Sequence, residues 1–193
     1  QDVNQLIESA KVYNEAAVIE LVPGVLSIGD VQKVLQHLLR ERVPIRDMAS
    51  ILESMADFGG RIKDPDQLGE LVRAGISRTI TRQFLDAQNR LACITLEPSL
   101  ERELAESVNT TTFGSMIVVE PERQRLLVEA IKNEIEMANA RGYQAVLLCG
   151  NTLRLPLKRL ADKYLPNLPV LAYNEVAETA NVEFVGQLRA FAA

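Results

Sequence analysis

Side chains that could bind a small ligand follow two apolar segments in the C-terminal half of the chain. Gly150 and Asn151 come directly after the run AVLLC, and Asn174 comes directly after the run PVLAY. In open α/β sheets, ligands bind beyond the carboxyl ends of the strands. Arg154 would add a positive charge there. The sequence therefore predicts a candidate ligand cleft at Gly150, Asn151 and Asn174, with an ordinary strand-to-helix turn as the alternative.

Other catalytic chemistry lacks its usual residues. The sequence contains no G-x-S-x-G nucleophile elbow and neither of the common glycine-rich phosphate loops. His37 is the single histidine, so a His-rich metal site is excluded and a structural role is expected. Cys93 and Cys149 lie in apolar runs, which favours two buried thiols in a reduced compartment over a disulfide. We predict no catalytic residue, no cofactor and no metal site.

A charged pair occupies the turn between two predicted helices. The segment VPIRD places Arg46 and Asp47 just after Pro44, a residue that suits the start of a new element. Such a pair can form a charge-assisted link to a neighbouring molecule. It can equally form an ion pair within the domain or cap a helix. Because an exposed pair adds only ~0–1 kcal/mol to stability, a contact role and a structural role both stay open.

Helical patterns fill the N-terminal part of the chain. Hydrophobic spacing predicts a helix over residues 3–20, interrupted or recapped at Asn14. A capping box beginning at Ser27 opens the next helix, and a further helix follows the VPIRD turn. Asp64 then caps a helix whose buried face continues as far as Phe84.

The pattern changes to α/β beyond a polar joint near residue 88. The runs LACITL, AVLLC and PVLAY are apolar without alternation, as expected for strands covered on both faces. A helix near residues 156–165 should join the last two as a parallel, right-handed unit. Residues 182–191 alternate, which predicts an edge strand with one exposed face. Residues 109–114 (NTTTFG) are expected to form a mobile loop. The helix that contains Glu101 is expected to present its carboxylates to solvent.

The predicted fold class is α+β with two domains. A helical, winged-helix-like domain spans residues 21–88, and a small α/β domain with a mixed, partly parallel sheet spans residues 89–193. The net charge of −5 is spread evenly, which argues against a nucleic-acid-binding surface. No apolar run approaches the roughly 18 residues that a membrane helix needs.

Several segments resemble the FlhA family of export-gate proteins, which serve flagellar and virulence type III secretion. The longest is LVPGVLSIGDVQKVLQHLLRERVPIRDMASILESMAD. Shorter matches are KDPDQL at residues 63–68, LVRAGISRTI at 71–80 and VLAYNEV at 170–176. The resemblance covers nearly the whole chain and is strongest over residues 20–85. The strings VPIRDM and VLAYNEV favour a flagellar over a virulence system.

The resemblance implies a part of a larger membrane protein. Family members combine an N-terminal half of membrane spans with a cytosolic half on the cytoplasmic side of the bacterial inner membrane. This chain would carry the last two cytosolic subdomains, with residues 1–20 as the remnant helix of a preceding one. It is therefore expected to be a fragment, and to reach the membrane only through the half that it lacks.

The resemblance also implies partners. The cytosolic half forms a ring with other copies of itself and docks export chaperone–substrate complexes and soluble export-apparatus proteins, including ATPase components. The main chaperone-docking surface belongs to subdomains that this chain lacks. The helical subdomain supplies most ring contacts, so the candidate contact residues are Pro44, Ile45, Arg46, Asp47 and Glu53.

Two other functions compete with this interpretation. The first is a winged-helix DNA-binding regulator with an α/β effector domain, in which Arg73, Arg78 and Arg82 would face DNA. Nearby acidic residues leave the local charge almost neutral, which disfavours it. The second is an α/β enzyme, which would need a ligand at Gly150 and Asn151.

Overall fold

In the computed structural model, which describes residues 3–189 apart from the side chains of residues 13, 14, 17 and 23, the chain divides between Ile80 and Thr81. The helical unit comprises residues 1–80 and the α/β unit residues 81–193. The sequence-based boundary near residue 88 lies in the polar segment just before the first strand of the α/β unit.

The helical unit consists of helices joined by short turns. They are α1 (Val3–Ile19), a kinked segment (Glu20–Val25) in which Val22 has extended backbone angles, α2 (Ile28–Arg40), α3 (Met48–Gly59) and α4 (Pro65–Gly75), followed by α5 (Ser77–Arg82), which crosses the division. Two expectations were wrong here. Helix α1 continues through Asn14, and the helix predicted from Asp64 towards Phe84 is divided at Ile76 into α4 and α5.

Local capping sets the starts of α2 and α4. The Ser27 hydroxyl accepts a hydrogen bond from the Asp30 N–H at 3.1 Å, while the Asp30 carboxylate accepts one from the Ser27 N–H at 3.1 Å. Asp64 caps α4 by accepting from the Gln67 N–H at 3.3 Å. Both predicted caps are confirmed, because each depends only on residues three positions apart.

Apolar stripes of α2, α3 and α4 build the core of this unit. The side chains that are almost wholly buried include Val31, Val34, Leu38, Ile51, Met55, Leu68 and Val72. Gly75, at the end of α4, lets the helix approach α3 closely. A Cβ at that position would lie 2.1 Å from the Ser54 hydroxyl oxygen, so a side chain at residue 75 would force Ser54 to move.

The α/β unit is built on a parallel sheet. Its elements are β1 (Arg90–Leu96), α6 (Pro98–Glu106), β2 (Val108–Thr111), β3 (Gly114–Ile117), α7 (Pro121–Ala140), β4 (Val146–Cys149), α8 (Asn151–Asp162), β5 (Val170–Ala172), a 3-10 turn (Tyr173–Glu175) and β6 (Asn181–Leu188). The main sheet has the order β5-β4-β1-β6, and every pairing in it is parallel. The predicted parallel unit β4-α8-β5 is confirmed.

Two local expectations for this unit were wrong. Residues 109–114 are not a loop but most of the antiparallel hairpin β2–β3. The Thr110 and Ser115 hydroxyls lie 2.9 Å apart across it, and Gly114 takes a φ of 101° that suits glycine. Helix α8 starts at Asn151 rather than near residue 156 and contains Pro156 in its interior.

Strand β6 is an edge strand, as predicted, but its alternation is broken. The pairing with β1 shifts between Cys93 and Ile94, which opposes Phe184 to Cys93 and Gly186 to Ile94. Val185 is thus the extra residue of a β-bulge. It is buried in the core with helix α7, whereas Phe184 is exposed. Residues 190–191, included in the predicted strand, lie outside the described residues.

Candidate interaction site

The turn between α2 and α3 is fixed by backbone geometry at its first end. Arg42 has a φ of 59°, in the left-handed region, and ends the helical path of α2. The Val43 N–H then donates to the Leu38 carbonyl at 3.0 Å. Val43 is 3% exposed, so it anchors the turn in the helical core. Residues 44–47 are held between this anchor and the start of α3.

Asp47 closes the turn as the N-cap of α3. Its Oδ1 accepts a hydrogen bond from the Ser50 N–H at 3.2 Å. Replacing such a cap by alanine typically costs about 1 kcal/mol. Asp47 therefore has a role within the fold, which is one of the alternatives that the sequence left open.

Arg46 differs from its neighbour. It is exposed, and across residues 3–189 no hydrogen bond or ion pair involves its guanidinium. Pro44 and Ile45 beside it are half-buried, and Glu53 lies on α3 with an exposed side chain. The turn thus presents a cation on a rigid backbone, a geometry suited to a carboxylate of another molecule.

His37 is a packing residue of the helical unit. Its ring is 6% exposed, and Nε2 lies 3.0 Å from a Glu70 carboxylate oxygen. Nδ1 lies 3.7 Å from an Asp66 carboxylate oxygen. Gly69 lies between these two residues on α4, and a Cβ there would come within 2.5 Å of the ring. The expectation of a structural histidine agrees with this burial.

Arg73 does not face solvent. It is 1% exposed, and its Nη1 lies 3.4 Å from a Glu41 carboxylate oxygen. The proposal that Arg73 could join Arg78 and Arg82 on DNA is wrong for this residue, because phosphate binding requires an accessible guanidinium.

The carboxyl edge of the main sheet already holds a carboxylate at the predicted ligand cleft. The Gly150 N–H donates to Glu101 Oε1 at 2.6 Å, and a Cβ at Gly150 would lie 2.7 Å from the same oxygen. Asn151 is exposed and accepts a hydrogen bond from the Thr152 N–H at 3.0 Å. Asn174 is also exposed, in the 3-10 turn. A carboxylate at Gly150 disfavours an anionic ligand at this edge.

The positive charge expected at this cleft is buried instead. Arg154 is 0% exposed, and its Nη1 donates to the Val170 carbonyl at 3.1 Å. Its Nε lies 3.5 Å from Glu175 Oε1, while Glu175 Oε2 accepts from the Ala172 N–H at 3.1 Å. The pair therefore fastens α8 to the end of β5. Nothing in the spacing of α8 distinguishes this buried arginine from an exposed one.

The two cysteines are buried thiols in the described part of the chain. Cys93 and Cys149 are both 0% exposed and form no disulfide there. Burial raises the pKa of Cys93 to about 12.

Between residues 3 and 189, no three His, Cys, Asp or Glu side chains are grouped to hold a metal ion. Within that same range, no helix is both long and apolar enough to cross a bilayer.

Comparison with known proteins identifies the family. The FHIPEP family profile matches residues 1–181, and the chain belongs to this family. FlhA, the flagellar biosynthesis protein of Bacillus subtilis, is 36% identical over 96% of this chain. The chain spans only 28% of that relative's length. The resemblance to FlhA inferred from the sequence is confirmed.

Solved structures of related proteins share the fold. The nonameric SctV-C of EPEC is 26% identical and superposes with a TM-score of 0.86 over 97% of this chain and 56% of its own. CdsV of Chlamydia pneumoniae, in its complex with CdsO, is 24% identical with a TM-score of 0.84, covering 96% and 54% of the two chains. The second likeness bears on the fold alone. The two-part α+β fold class is thereby confirmed.

Proposed function

We propose that this chain is a ring-building and docking part of a bacterial protein export gate, with residues 44–47 and Glu53 touching the neighbouring subunit. The observation that carries the proposal is the Arg46 guanidinium, exposed on a fixed turn and without a partner among residues 3–189. Family membership and the ring formed by SctV-C support it. The chain is proposed to act without catalysis, and in a flagellar rather than a virulence system.

The proposed partners follow from the same family. They are further copies of the chain, export chaperone–substrate complexes and soluble export-apparatus proteins such as ATPase components. CdsV forms a complex with CdsO, which supports a role for such proteins as docking platforms. In the cell, the chain would lie on the cytoplasmic side of the inner membrane, linked to it through the membrane-spanning half that the family resemblance implies.

Charge reversal at Arg46 tests the contact. Arg46→Glu in the full-length parent should abolish motility. It should also block disulfide cross-linking between cysteines introduced on adjacent ring subunits. The free energy of unfolding of the 193-residue chain should change by no more than ~0.5 kcal/mol, because the side chain has no partner within the described fold. Arg61→Glu, another exposed arginine of the same unit, is the matched control and should leave motility intact.

Two substitutions of Asp47 distinguish its role as a helix cap from a role in the ring contact. Asp47→Asn retains the capping oxygen and removes the charge, whereas Asp47→Ala removes both. We expect only the alanine variant to lose stability, by about 1 kcal/mol. Loss of ring cross-linking in the asparagine variant would assign the carboxylate charge to the interface. Normal motility and cross-linking in Arg46→Glu would remove this turn from the ring contact.

A further inference from the structure

Helix α1 carries apolar side chains on two opposite sides. Ile7, Ala10 and Val18 are at most 5% exposed and form the side that packs on the rest of the helical unit. Val12 and Ile19 are 83% and 58% exposed. Because successive residues of an α-helix are turned by about 100°, these two residues share the side that faces away from the first three. A surface helix usually has one apolar side, so the second one indicates a second packing partner.

Acidic residues flank the exposed apolar side of α1. Glu8 and Glu15 lie within about 60° of Val12 around the helix, one turn before it and one turn after it. Glu8 is ion-paired with Lys11. Glu15 is exposed, and its carboxylate has no hydrogen bond or ion pair within the described part of the chain. We call Glu8, Val12, Glu15 and Ile19 together the α1 stripe, an apolar surface with an excess of negative charge.

The turn between α2 and α3 has the opposite charge. Leu39, in the last turn of α2, is 50% exposed. Arg40, which follows it directly, and Arg46 are both exposed. The acidic residues of this segment are engaged within the fold, because Glu41 is paired with a buried arginine and Asp47 caps α3. The turn therefore combines an apolar side chain with an excess of positive charge.

The two surfaces are complementary, and both belong to the helical unit. A closed ring of more than two identical subunits needs two different surfaces on each subunit, one of which fits the other on the next subunit. Opposite charges across such a contact fix its register, whereas like charges oppose association. The α1 stripe and the α2–α3 turn meet both conditions, since one is acidic, the other is basic and each contains exposed apolar side chains.

We propose that the α1 stripe of one subunit receives the α2–α3 turn of the next copy of the chain, with Glu15 opposite Arg46. Leu39 of the turn would lie against Val12 and Ile19, and this apolar contact would shield the ion pair from water. A guanidinium and a carboxylate can then form two parallel hydrogen bonds. The inference rests on the proposed ring contact and identifies the surface that the turn touches.

Exchange of the two charges in the full-length parent tests the proposal. Glu15→Arg should reduce cross-linking between ring subunits about tenfold or more, as Arg46→Glu does, because each variant places like charges opposite each other. The double variant Arg46→Glu/Glu15→Arg restores the ion pair in the reverse order. It should recover cross-linking and motility to within about twofold of the unmodified parent, since the two residues are in contact and their effects are not additive.

Asp57→Arg is the matched control. Asp57 is exposed on α3, in the same unit, and lies outside both surfaces. Its reversal should leave cross-linking unchanged and should not rescue Arg46→Glu. The melting temperature of the 193-residue chain should shift by no more than about 2 °C in Glu15→Arg, because the Glu15 carboxylate has no partner within the described residues. A loss of cross-linking would then not come from unfolding.

Failure of this inference can be told apart from failure of the ring contact. If Arg46→Glu abolishes cross-linking and Glu15→Arg does not, the α1 stripe is not the partner of the turn, and the ring contact at the turn still stands. A loss in Glu15→Arg that the double variant does not restore overturns the inference too, because the α1 stripe would then pack against another part of the parent. A silent Arg46→Glu refutes the ring contact itself, and this inference with it.

Discussion

Replacing Gly69 by alanine tests the packing of α2 on α4. A Cβ at position 69 would lie 2.5 Å from Cδ2 and 2.8 Å from Cγ of His37. The ring is 6% exposed, and Nε2 is 3.0 Å from the Glu70 carboxylate. It therefore cannot retreat without breaking that contact or displacing the neighbouring side chains of the core.

Two effects of opposite sign determine how much Gly69→Ala changes the free energy of unfolding. Overpacking a filled core costs about 1–3 kcal/mol. Alanine in place of glycine inside a helix contributes about 1 kcal/mol in the other direction. Gly69→Ala should therefore destabilise the helical unit by up to about 2 kcal/mol. In a His37→Ala background the ring is gone, and the same substitution should stabilise the unit by about 0.5–1 kcal/mol. The predicted coupling energy is thus about 1–3 kcal/mol.

The assay is a double-mutant cycle in urea. Because the chain has two units, hydrogen exchange of amides in α2 and α4 should assign the transition to residues 1–80. Gly29→Ala is the control within α2, since the nearest atom to its added Cβ is the Ser27 hydroxyl oxygen at 3.6 Å. A cost of Gly69→Ala that is equal with and without the imidazole would refute the proposed clash.

Three further predictions concern single sites. Arg154→Met should destabilise the α/β unit by about 3–5 kcal/mol in chemical denaturation, because it leaves the buried Glu175 carboxylate without the guanidinium. The double change Arg154→Met/Glu175→Leu removes that buried charge as well and should cost less than the single change. Because burial raises the pKa of Cys93 to about 12, this thiol should stay unreactive towards a disulfide reagent at pH 8 until the chain is denatured. Hydrogen bonds from Ser27 lower the pKa of Asp30 below its usual 3.8. The stabilisation of α2 by the Asp30 carboxylate is therefore present above pH 3.8 and is lost as the pH falls through the lowered pKa. The difference in free energy of unfolding between the unmodified chain and Asp30→Ala, measured by circular dichroism, should shrink over that acid range.

The sequence determined the features that depend on near neighbours along the chain. The caps at Ser27 and Asp64 each use a partner three residues away, so their patterns identify them without any knowledge of the fold. The apolar runs of β1, β4 and β5 are short and lack alternation, which is the pattern of strands covered on both faces. The family was also identifiable, since its longest matching string is one continuous run, residues 21–57, which needs no knowledge of the fold.

The sequence did not predict the hairpin at residues 109–114 or the break at Ile76. Short threonine- and glycine-containing segments suit both loops and strands, and only the pairing of Val108 with Ile117 decides between them. At Ile76 the hydrophobic period continues across α4 and α5, so the pattern gives no sign of the break between them.

Only the tertiary structure decided which charged and aromatic side chains are accessible. Arg154 and Arg73 were assigned to possible ligands from their positions along the chain, yet both are buried against carboxylates distant in sequence. Regular alternation along β6 would put Phe184 on the same face as Leu188, but a single bulge turns Phe184 out to solvent while Leu188 stays buried. Local pattern specifies helices, strands and caps because their hydrogen bonds join near neighbours. Exposure depends on long-range packing and register, which a one-residue shift reverses.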